Sequence, residues 1–224
     1  HKHRRRQRQM CIRDRYSRKV NYIFMIDALS PRSDYPCLGQ STYLNQASLG
    51  LLSNKTVAEM TKFLNKVARH GNLKMSDKEE AGFLNSLRGS VSKLLKAKPE
   101  NIAILSSASE LLSQVPKLCS PEPNSKIILI STDFPSITRP WLTSENTDNL
   151  EICFVNEDPN ADLTQTIIEN IDSNTSVVCI SYVQFSSGTR IDVKKLNKYT
   201  KEFGAKLVID VTQAAGAIPI DVRE

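Results

Sequence analysis

The sequence of 224 residues lacks an apolar run of the ~18 residues that a membrane-spanning helix needs. Its five cysteines are widely spaced and include no Cys-x-x-Cys pair, which argues against zinc sites and a disulfide framework. We expect them to be small buried side chains in a reducing compartment. An apolar run begins at Tyr22, but Asp27 interrupts it and no small-residue cleavage site precedes Pro31, so a secretory signal is not indicated. These absences predict a cytoplasmic protein that does not bind membranes.

Acidic residues are almost absent from the first 19 positions, where nine of the 30 basic residues stand against Asp14 alone. The rest of the chain has 21 basic and 23 acidic residues, so its formal charge is −2, although the whole sequence has +6. Residues 1–19 are therefore a basic tail, and the remainder gives no reason to expect nucleic-acid binding. The tail is either a disordered arm that binds polyanions or sequence foreign to the fold. Because residues 9–17 resemble translated sequencing-adapter read-through, we favour the foreign origin.

Two amphipathic helices are predicted in the first half of the chain. Ser53 is a candidate N-cap for the first helix, which Gly71 ends. Ser76, with Glu79 three residues later, has the capping-box signature for the second, which extends to Pro99. We expect both helices to pack on a core through apolar side chains at helical spacing. These are Val57, Met60, Phe63, Leu64 and Val67 in the first helix, and Phe83, Leu84, Leu87, Val91, Leu94 and Leu95 in the second.

Short apolar runs alternate with helical or loop segments from Asn101 onward, and each run is predicted to be a strand. The runs are Ile102–Leu105, Ile127–Ile130, Ile152–Val155, Val177–Ile180 and Leu207–Ile209. Asp162 and Asp192 are candidate N-caps of intervening helices, and Gly204 is suited to end the later one. Strands that alternate with helices favour a parallel sheet with right-handed crossovers. The predicted fold class is α/β, a three-layer α/β/α sandwich with a mostly parallel sheet.

Small or polar residues follow the first and last predicted strands, and ligands of open parallel sheets bind at such strand ends. Ser107, Ala108 and Ser109 precede a helical segment, where backbone N–H groups can hold a phosphate. Taken alone, these residues are more typical of an ordinary helix cap. Asp210 ends the last strand and Gln213 follows it. From sequence position alone, Asp210 is equally compatible with a ligand site and with a helix N-cap.

Two further residues follow the inner strands of the predicted sheet. Phe134 comes after the second strand, and its residue type favours a place in the core over a role in stacking on a flat ligand. Gln184 comes after the fourth strand, where a surface position is slightly favoured over ligand binding. Both residues therefore carry two interpretations from sequence alone.

Taken together, the polar segments resemble a known family. The motifs Tyr-Leu-Asn-x-Ala-Ser at 43–48, Ser-Ala-Ser-Glu at 107–110, Asp-Phe-Pro-Ser at 133–136, Ser-Tyr-Val-Gln-Phe-Ser-Ser-Gly at 181–188 and Asp-Val-Thr-Gln-Ala-Ala-Gly at 210–216 occur in order. They resemble the class V aminotransferases, pyridoxal 5′-phosphate (PLP) enzymes that include cysteine desulfurases, kynureninase and serine–glyoxylate-type transaminases. The resemblance covers residues 30–223 and implies the large domain of a fold-type-I PLP enzyme.

The resemblance implies roles for the residues around the PLP phosphate and ring face. Ser107, Ala108 and Ser109 stand where the family typically has Gly-Ala-Thr, whose backbone and hydroxyl bind the phosphate. Phe134 stands where the family places a ring-stacking residue, which is His in desulfurases and aromatic in other branches. Because Phe134 cannot move a proton, the resemblance favours transaminase or epimerase chemistry over cysteine desulfuration.

The resemblance also implies how the ring itself is held. Asp210 pairs with the pyridinium nitrogen and keeps it protonated, which makes the ring an electron sink. Gln213 contacts the phenolic oxygen, and Gln184 is a second candidate for that contact. Desulfurases often have an Asn at the position of Phe185, which again disfavours that branch. Seven residues thus form the expected cofactor-binding set.

The family's Schiff-base lysine is missing from this sequence. None of the fourteen residues after Asp210 is Lys, although the family has its Lys a couple of dozen residues after this Asp. We therefore expect an inactive N-terminal part of a larger enzyme, without the small domain, the substrate-carboxylate Arg or the desulfurase Cys. The expected divisions are a basic tail at 1–19, an N-terminal arm at 20–52 and an incomplete PLP-binding large domain at 53–224.

The parent enzyme implied by the resemblance is a homodimer that acts on the amino group or α-carbon of a small amino acid. A cysteine desulfurase that supplies sulfur is one alternative. A non-catalytic nucleotide-binding α/β module of Rossmann type is another, although no Gly-x-Gly-x-x-Gly follows the first strand. A third alternative is polyanion binding through the basic tail.

Overall fold

The computed structural model describes residues 30–143 and 149–224. The predicted basic tail and the start of the predicted arm lie outside these ranges. Two compact units are distinguished among the described residues. One contains residues 30–44 and 51–61, and the other contains residues 45–50 and 62–224. The first unit includes a 3-10 turn at Arg32–Asp34, and the second contains the sheet.

Ten α-helices are assigned in the described ranges. They are α1 (Cys37–Gln40), α2 (Asn54–His70), α3 (Asp77–Gly82), α4 (Asn85–Leu95), α5 (Ala108–Ser113), α6 (Val115–Cys119), α7 (Pro135–Thr138), α8 (Pro140–Thr143), α9 (Leu163–Glu169) and α10 (Val193–Glu202). A second 3-10 turn covers Pro99–Asn101. Within the described ranges, no helix combines the length and the apolarity needed to cross a bilayer.

The sheet consists of four parallel strands in the order β2-β1-β3-β4. Its strands are β1 (Lys126–Ile130), β2 (Glu151–Val155), β3 (Thr175–Ser181) and β4 (Lys206–Asp210). Four of the five predicted strands are therefore confirmed. All residues of β1 are buried, which explains why this strand is an unbroken apolar run after Lys126.

The first predicted strand, Ile102–Leu105, is wrong: no strand is assigned there among the described residues. The backbone of Ile102 is extended, with φ −104° and ψ 108°. Extended backbone becomes a strand only when a neighbour supplies the hydrogen-bonded ladder. None of the four assigned strands pairs with this run, so its apolar residues remain partly exposed.

The core lies on both faces of the sheet, as the three-layer prediction requires. Alternate residues of β1 enter different layers, because successive side chains of a strand point to opposite faces. Ile128 and Ile130 pack with the apolar side chains of α9 and α10, including Ile167 and Leu196. The opposite layer consists of Ile127, Leu129, Val177 and Cys179 with Leu112, Val115, Cys119, Ile137 and Trp141. The α/β/α sandwich is thus confirmed.

Local capping signals specify several helix boundaries correctly. The carboxylate of Asp162 accepts a hydrogen bond from Thr164 N at 2.9 Å, and that of Asp192 accepts one from Lys195 N at 3.0 Å. Gly204 follows α10 with φ +72°, a conformation that side chains disfavour. Ser76 and Glu79 form the predicted capping box at α3. These side chains satisfy backbone groups that a helix end otherwise leaves unpaired.

The second predicted helix is not continuous. The structure has two helices there, α3 and α4, separated at Phe83 and Leu84. Phe83 N donates to Glu80 O, three residues back, so the chain tightens directly after Gly82. The tight turn ends the i to i−4 ladder of α3, and a new helix starts at Asn85.

The expectation that these amphipathic helices pack on a core is also wrong for the described residues. No residue of α2 is buried, and Met60 is 55% exposed. In α4 the buried residue is Ser92, while Leu87 and Leu94 are exposed. Helical spacing tells which face is apolar but not whether another element covers it.

The cysteines agree with the sequence prediction in part. Cys119 and Cys179 are buried, whereas Cys37 and Cys153 are half-buried, and all four are free thiols. Burial raises the pKa of the Cys119 thiol and raises that of Cys179 to about 12. Cys11 lies outside the described residues.

Candidate functional site

The carboxyl ends of the four strands bring polar residues to one edge of the sheet. Asp133 follows β1, Glu157 follows β2, Gln184 follows β3 and Asp210 ends β4. Because the strands are parallel, these ends lie at the same edge, where ligands of open α/β sheets bind. We take this strand-end edge as the candidate site.

Asp133 is the centre of a buried hydrogen-bond network at this edge. Its side chain is 6% exposed and accepts four hydrogen bonds. Oδ1 accepts from Phe134 N at 2.8 Å and from Ser181 Oγ at 2.6 Å. Oδ2 accepts from Ser181 N at 2.8 Å and from Gln184 Nε2 at 3.3 Å. The network therefore joins the end of β1 to the end of β3.

Asp133 was not predicted as a site residue from the sequence. The signal that marked Asp210, an acid at the end of an apolar strand, also occurs three residues after Ile130. What the sequence did not show is that Ser181 and Gln184 come within hydrogen-bond distance of this carboxylate.

Phe134 is 48% exposed, so the expectation from residue type alone that it lies in the core is wrong. Its ring meets that of Phe185 edge to face, with centroids 5.4 Å apart and an interplanar angle of 89°. Aromatic pairs favour this geometry. The half-exposed ring of Phe134 agrees with the stacking role that the resemblance implies, and that role stays a prediction.

Gln184 is 1% exposed, so the alternative of a surface glutamine is wrong. Its backbone is fixed by two hydrogen bonds of the following turn, in which Gln184 N donates to Thr189 O and Gly188 N donates to Gln184 O. The side-chain Nε2 donates to Asp133, whereas Oε1 is buried without a hydrogen-bond partner among the described residues.

The segment predicted to hold a phosphate caps α5. Ser107 Oγ accepts from Glu110 N at 3.1 Å, as expected for an N-cap. The carboxylate of Glu110 accepts from the backbone and hydroxyl of Ser106, and these bonds lower the pKa of Glu110. Ser109 contacts the next element, because its Oγ lies 2.7 Å from Ser136 Oγ in α7. Ala108, the first residue of α5, adds no side-chain polar group.

A cavity of about 340 Å³ lies beside the Ser109–Ser136 contact. It lies between α5 on one side and α7 and α8 on the other, and Ser113 and Arg139 also line it. The Ser113 hydroxyl donates its hydrogen to Glu110 O at 2.6 Å, so it forms a hydrogen bond with the helix backbone. The pocket is thus continuous with the predicted phosphate segment.

Asp210 forms a local turn instead of capping a helix, since no helix is assigned after it in the described residues. Oδ1 accepts from Thr212 N at 2.7 Å and from Thr212 Oγ1 at 2.5 Å. No hydrogen bond is assigned to Oδ2 within the described ranges. Gln213 lies nearby in sequence, but its Nε2 donates to Ala47 O at 3.1 Å. The carboxylate is thus oriented by Thr212 and retains one oxygen for another partner.

Glu157 closes the β2 side of the edge. Its carboxylate accepts hydrogen bonds from the hydroxyls of Ser187, Thr189 and Thr132. These bonds, led by the one from Ser187, lower the pKa of Glu157. Because Ser187 and Thr189 belong to the loop after β3, we assign Glu157 to holding that loop. No set of three metal-ligating side chains occurs in the described part of the chain.

The structure connects several of the seven predicted site residues through neighbouring residues. Phe134 and Gln184 share Asp133 as hydrogen-bond partner. Ser109 reaches Ser136, two residues after Phe134. Asp210 is joined to the β3 end by Tyr182 N, which donates to Asp210 O at 2.9 Å. The side chain of Gln213 bonds to the backbone near Ala47 and not to another member of the set.

Comparison with protein families identifies the chain. Residues 42–224 match the aminotransferase class-V family model. The chain belongs to the aminotransferase class-V family. This membership confirms the family resemblance and replaces the alternative of a Rossmann-type nucleotide-binding module. Enzymes of the family use PLP.

Curated relatives of this aminotransferase class-V chain agree with the assignment. An uncharacterized aminotransferase, YcbU of Bacillus subtilis, is 25% identical over 150 residues, which cover 61% of this chain and 36% of the relative. A probable cysteine desulfurase of Methanothermobacter thermautotrophicus is 24% identical over 200 residues, covering 86% of this chain and 48% of the relative. The chain thus spans about half or less of the length of these relatives.

Solved structures show the same fold. A C-DES mutant with glycine covalently linked to its PLP cofactor matches with a TM-score of 0.77 at 16% identity, covering 87% of this chain and 52% of that one. The similarity confirms the large-domain fold of PLP-dependent transferases, of which this chain shows a four-stranded part.

Proposed function

We propose that the strand-end edge of this chain binds PLP and belongs to an enzyme that acts on the amino group or α-carbon of a small amino acid. The observation that supports this proposal most is the buried network of Asp133, Ser181 and Gln184. It holds together the ends of β1 and β3, between Phe134 and Asp210. Such a preorganised polar base beside a half-exposed aromatic ring suits a flat, polar cofactor.

The described residues fit PLP on three separate observations. Phe134 offers a half-exposed ring, Asp210 retains a carboxylate oxygen, and Gln184 retains a buried carbonyl oxygen without a partner. When bound, PLP supplies an electron sink for a carbanion at the substrate α-carbon. The chain's own residues bind and orient this group.

The predicted residues around the ring have three tasks in this proposal. Asp210 binds the protonated ring nitrogen, and the two hydrogen bonds from Thr212 fix its orientation. Phe134 stacks on the ring, and the backbone N–H bond to Asp133 holds it in place. Gln184 and Gln213 address the phenolic oxygen, and the NH₂ group of Gln213 has a second N–H besides the one donated to Ala47 O.

The phosphate is proposed to bind at the start of α5. Ser107, Ala108 and Ser109 offer small side chains and backbone N–H groups there. The Ser109 hydroxyl contacts that of Ser136 beside the cavity, which fixes the position of its oxygen there. A phosphate group also benefits from the partial positive charge of a helix start.

Transaminase or epimerase chemistry is proposed ahead of desulfuration. Phe134 and Phe185 pack against each other at the edge and offer no group that can transfer a proton. Cysteine desulfurase remains the second candidate, because several relatives, including the Methanothermobacter protein, are named probable cysteine desulfurases.

The whole protein is proposed to be a homodimer whose large domain includes residues 53–224, preceded by an arm at 20–52. Its activity is tested with the product of the complete gene, incubated with PLP, a panel of small amino acids and 2-oxo acid acceptors. Amino-group transfer or racemisation supports the proposal. Sulfide release from cysteine alone favours the second candidate, and the absence of all three reactions contradicts both.

A further inference from the structure

The cavity beside the Ser109–Ser136 contact has a wall of one charge sign. Among the described residues that line it, Arg139 is the charged one, and the others are hydroxyl residues and two prolines. Its volume of about 340 Å³ lies at the lower end of small-molecule pockets, which hold ~300 to 1,000 Å³. The cavity therefore suits a small ligand with a negatively charged group.

Arg139 has no counter-charge within the described ranges. No hydrogen bond or ion pair is assigned to its guanidinium there, whereas Arg32 and Arg223 each donate to a neighbouring oxygen. The acid of the facing helix α5, Glu110, accepts hydrogen bonds from Ser106 instead. A guanidinium presents its N–H donors in a planar fork that matches the two oxygens of a carboxylate.

The hydroxyl hydrogens of the cavity are largely in use. The Ser113 hydroxyl donates to the backbone of α5, and the Thr143 hydroxyl donates to Arg139 O at 3.0 Å. In the contact between Ser109 and Ser136, one hydroxyl donates to the other, so the pair keeps one hydrogen. The proposed function gives that hydrogen to the phosphate. Arg139 is therefore the donor that remains for a second anionic group.

We propose that the cavity binds a carboxylate at the far end of the amino-acid substrate, with Arg139 as the specificity-determining residue. The inference rests on the proposed function and narrows its substrate class to amino acids with an acidic side chain and the corresponding 2-oxo acids. Two parts of the proposed cofactor site border the cavity, since Ser109 belongs to the phosphate segment and Pro135 directly follows the stacking residue Phe134. A substrate that reacts at the cofactor has the cavity beside it.

Unreactive analogues test this inference as ligands of the complete gene's product, with and without PLP. Isothermal titration calorimetry compares glutarate with butyrate, which has the same carbon chain without the second carboxylate. We expect glutarate to bind roughly tenfold more tightly, the effect of one charge-assisted contact. R139Q should remove the difference, and R139K, which keeps the charge but not the fork, should retain part of it.

Two further variants separate the cavity from general attraction of anions. R190Q changes an exposed arginine of the loop after β3 that does not line the cavity, and it should leave the preference for glutarate unchanged. S113L fills the cavity while Arg139 keeps its charge, and it should reduce the preference. An R190Q effect equal to that of R139Q would overturn the inference.

PLP affinity, measured in parallel by fluorescence titration, distinguishes the remaining outcomes. Equal binding of glutarate and butyrate to a wild type that binds PLP would overturn the inference and leave the proposed function intact. A loss of PLP affinity in R139Q as large as its loss of glutarate affinity would assign Arg139 to the phosphate and also overturn the inference. Failure of wild type to bind PLP would overturn the proposed function, whereas an Arg139-dependent preference for glutarate in that protein would still support the carboxylate site.

Discussion

The hydroxyl oxygens of Ser109 and Ser136 lie 2.7 Å apart, although the residues belong to different helices and are separated by 27 positions. The contact links the start of α5 to α7, directly after Phe134. This hydrogen bond therefore joins the proposed phosphate segment to the helix that follows Phe134, the proposed ring-stacking residue.

This contact predicts graded effects of three serine substitutions on PLP affinity. S109A removes a proposed phosphate ligand and should weaken binding about tenfold, the scale of one hydrogen bond to a charged group. S136A removes only the partner of Ser109 and should have a smaller effect.

The control for this series is S113A, which removes a hydroxyl that lines the same cavity but donates to Glu110 O. Binding is measured by fluorescence titration with PLP. An S113A effect equal to that of S109A would show that the loss reflects general disturbance of α5 and not a phosphate contact.

Glu157 predicts an acid-dependent contribution to stability. Hydrogen bonds from Ser187 and Thr189 lower its pKa in the folded state below the ordinary value of 4.5. A depressed carboxylate pKa stabilises the fold above the unfolded pKa, and this stabilisation is lost as the pH falls through the folded pKa. Wild type should therefore exceed E157Q in stability by a constant amount at neutral pH, and the difference should shrink below about pH 4.5.

Urea denaturation of both proteins at a series of pH values measures this difference. E151Q is a suitable control, since Glu151 is exposed at the start of β2. A stability difference between wild type and E157Q that stays constant well below pH 4.5 would contradict the lowered pKa of Glu157 and its hydrogen bonds to the loop after β3.

The N-cap of α10 predicts a loss of stability that does not involve the site. D192A removes the acceptor for Lys195 N and should lower the free energy of unfolding by about 1 kcal/mol. K198A, at an exposed position of the same helix, should change it by less than about 0.5 kcal/mol. Urea denaturation at neutral pH compares the two variants, and equal losses would contradict a capping role.

The cysteines predict a fixed order of alkylation. Burial raises the pKa of Cys179 to about 12 and also raises that of Cys119, so both thiols should resist iodoacetamide at neutral pH. Cys37 and Cys153 are half-buried and should react first. Peptide mapping by mass spectrometry, before and after addition of urea, distinguishes the sites. Rapid labelling of Cys179 in the folded protein would contradict its place in the core.

The sequence predicted those elements whose structure depends on residues close by in the sequence. The buried β1 and the caps at Asp162 and Asp192 were predictable because local apolar runs and side-chain acceptors specify them. The Ile102–Leu105 run failed as a strand because its state depends on a pairing partner. The role of Asp133 was missed for a similar reason, since its partner Ser181 lies 48 positions away.

The central claim is that the strand-end edge binds PLP through Asp210, and binding of PLP to wild type and D210N tests it most directly. Equilibrium dialysis gives both affinities, with D158N as a control at an exposed acid of the loop after β2. We predict saturable binding to wild type and D158N, and binding at least roughly tenfold weaker to D210N, the scale of one charge-assisted hydrogen bond. Equal binding by wild type and D210N, or no saturable binding to wild type, would contradict the claim.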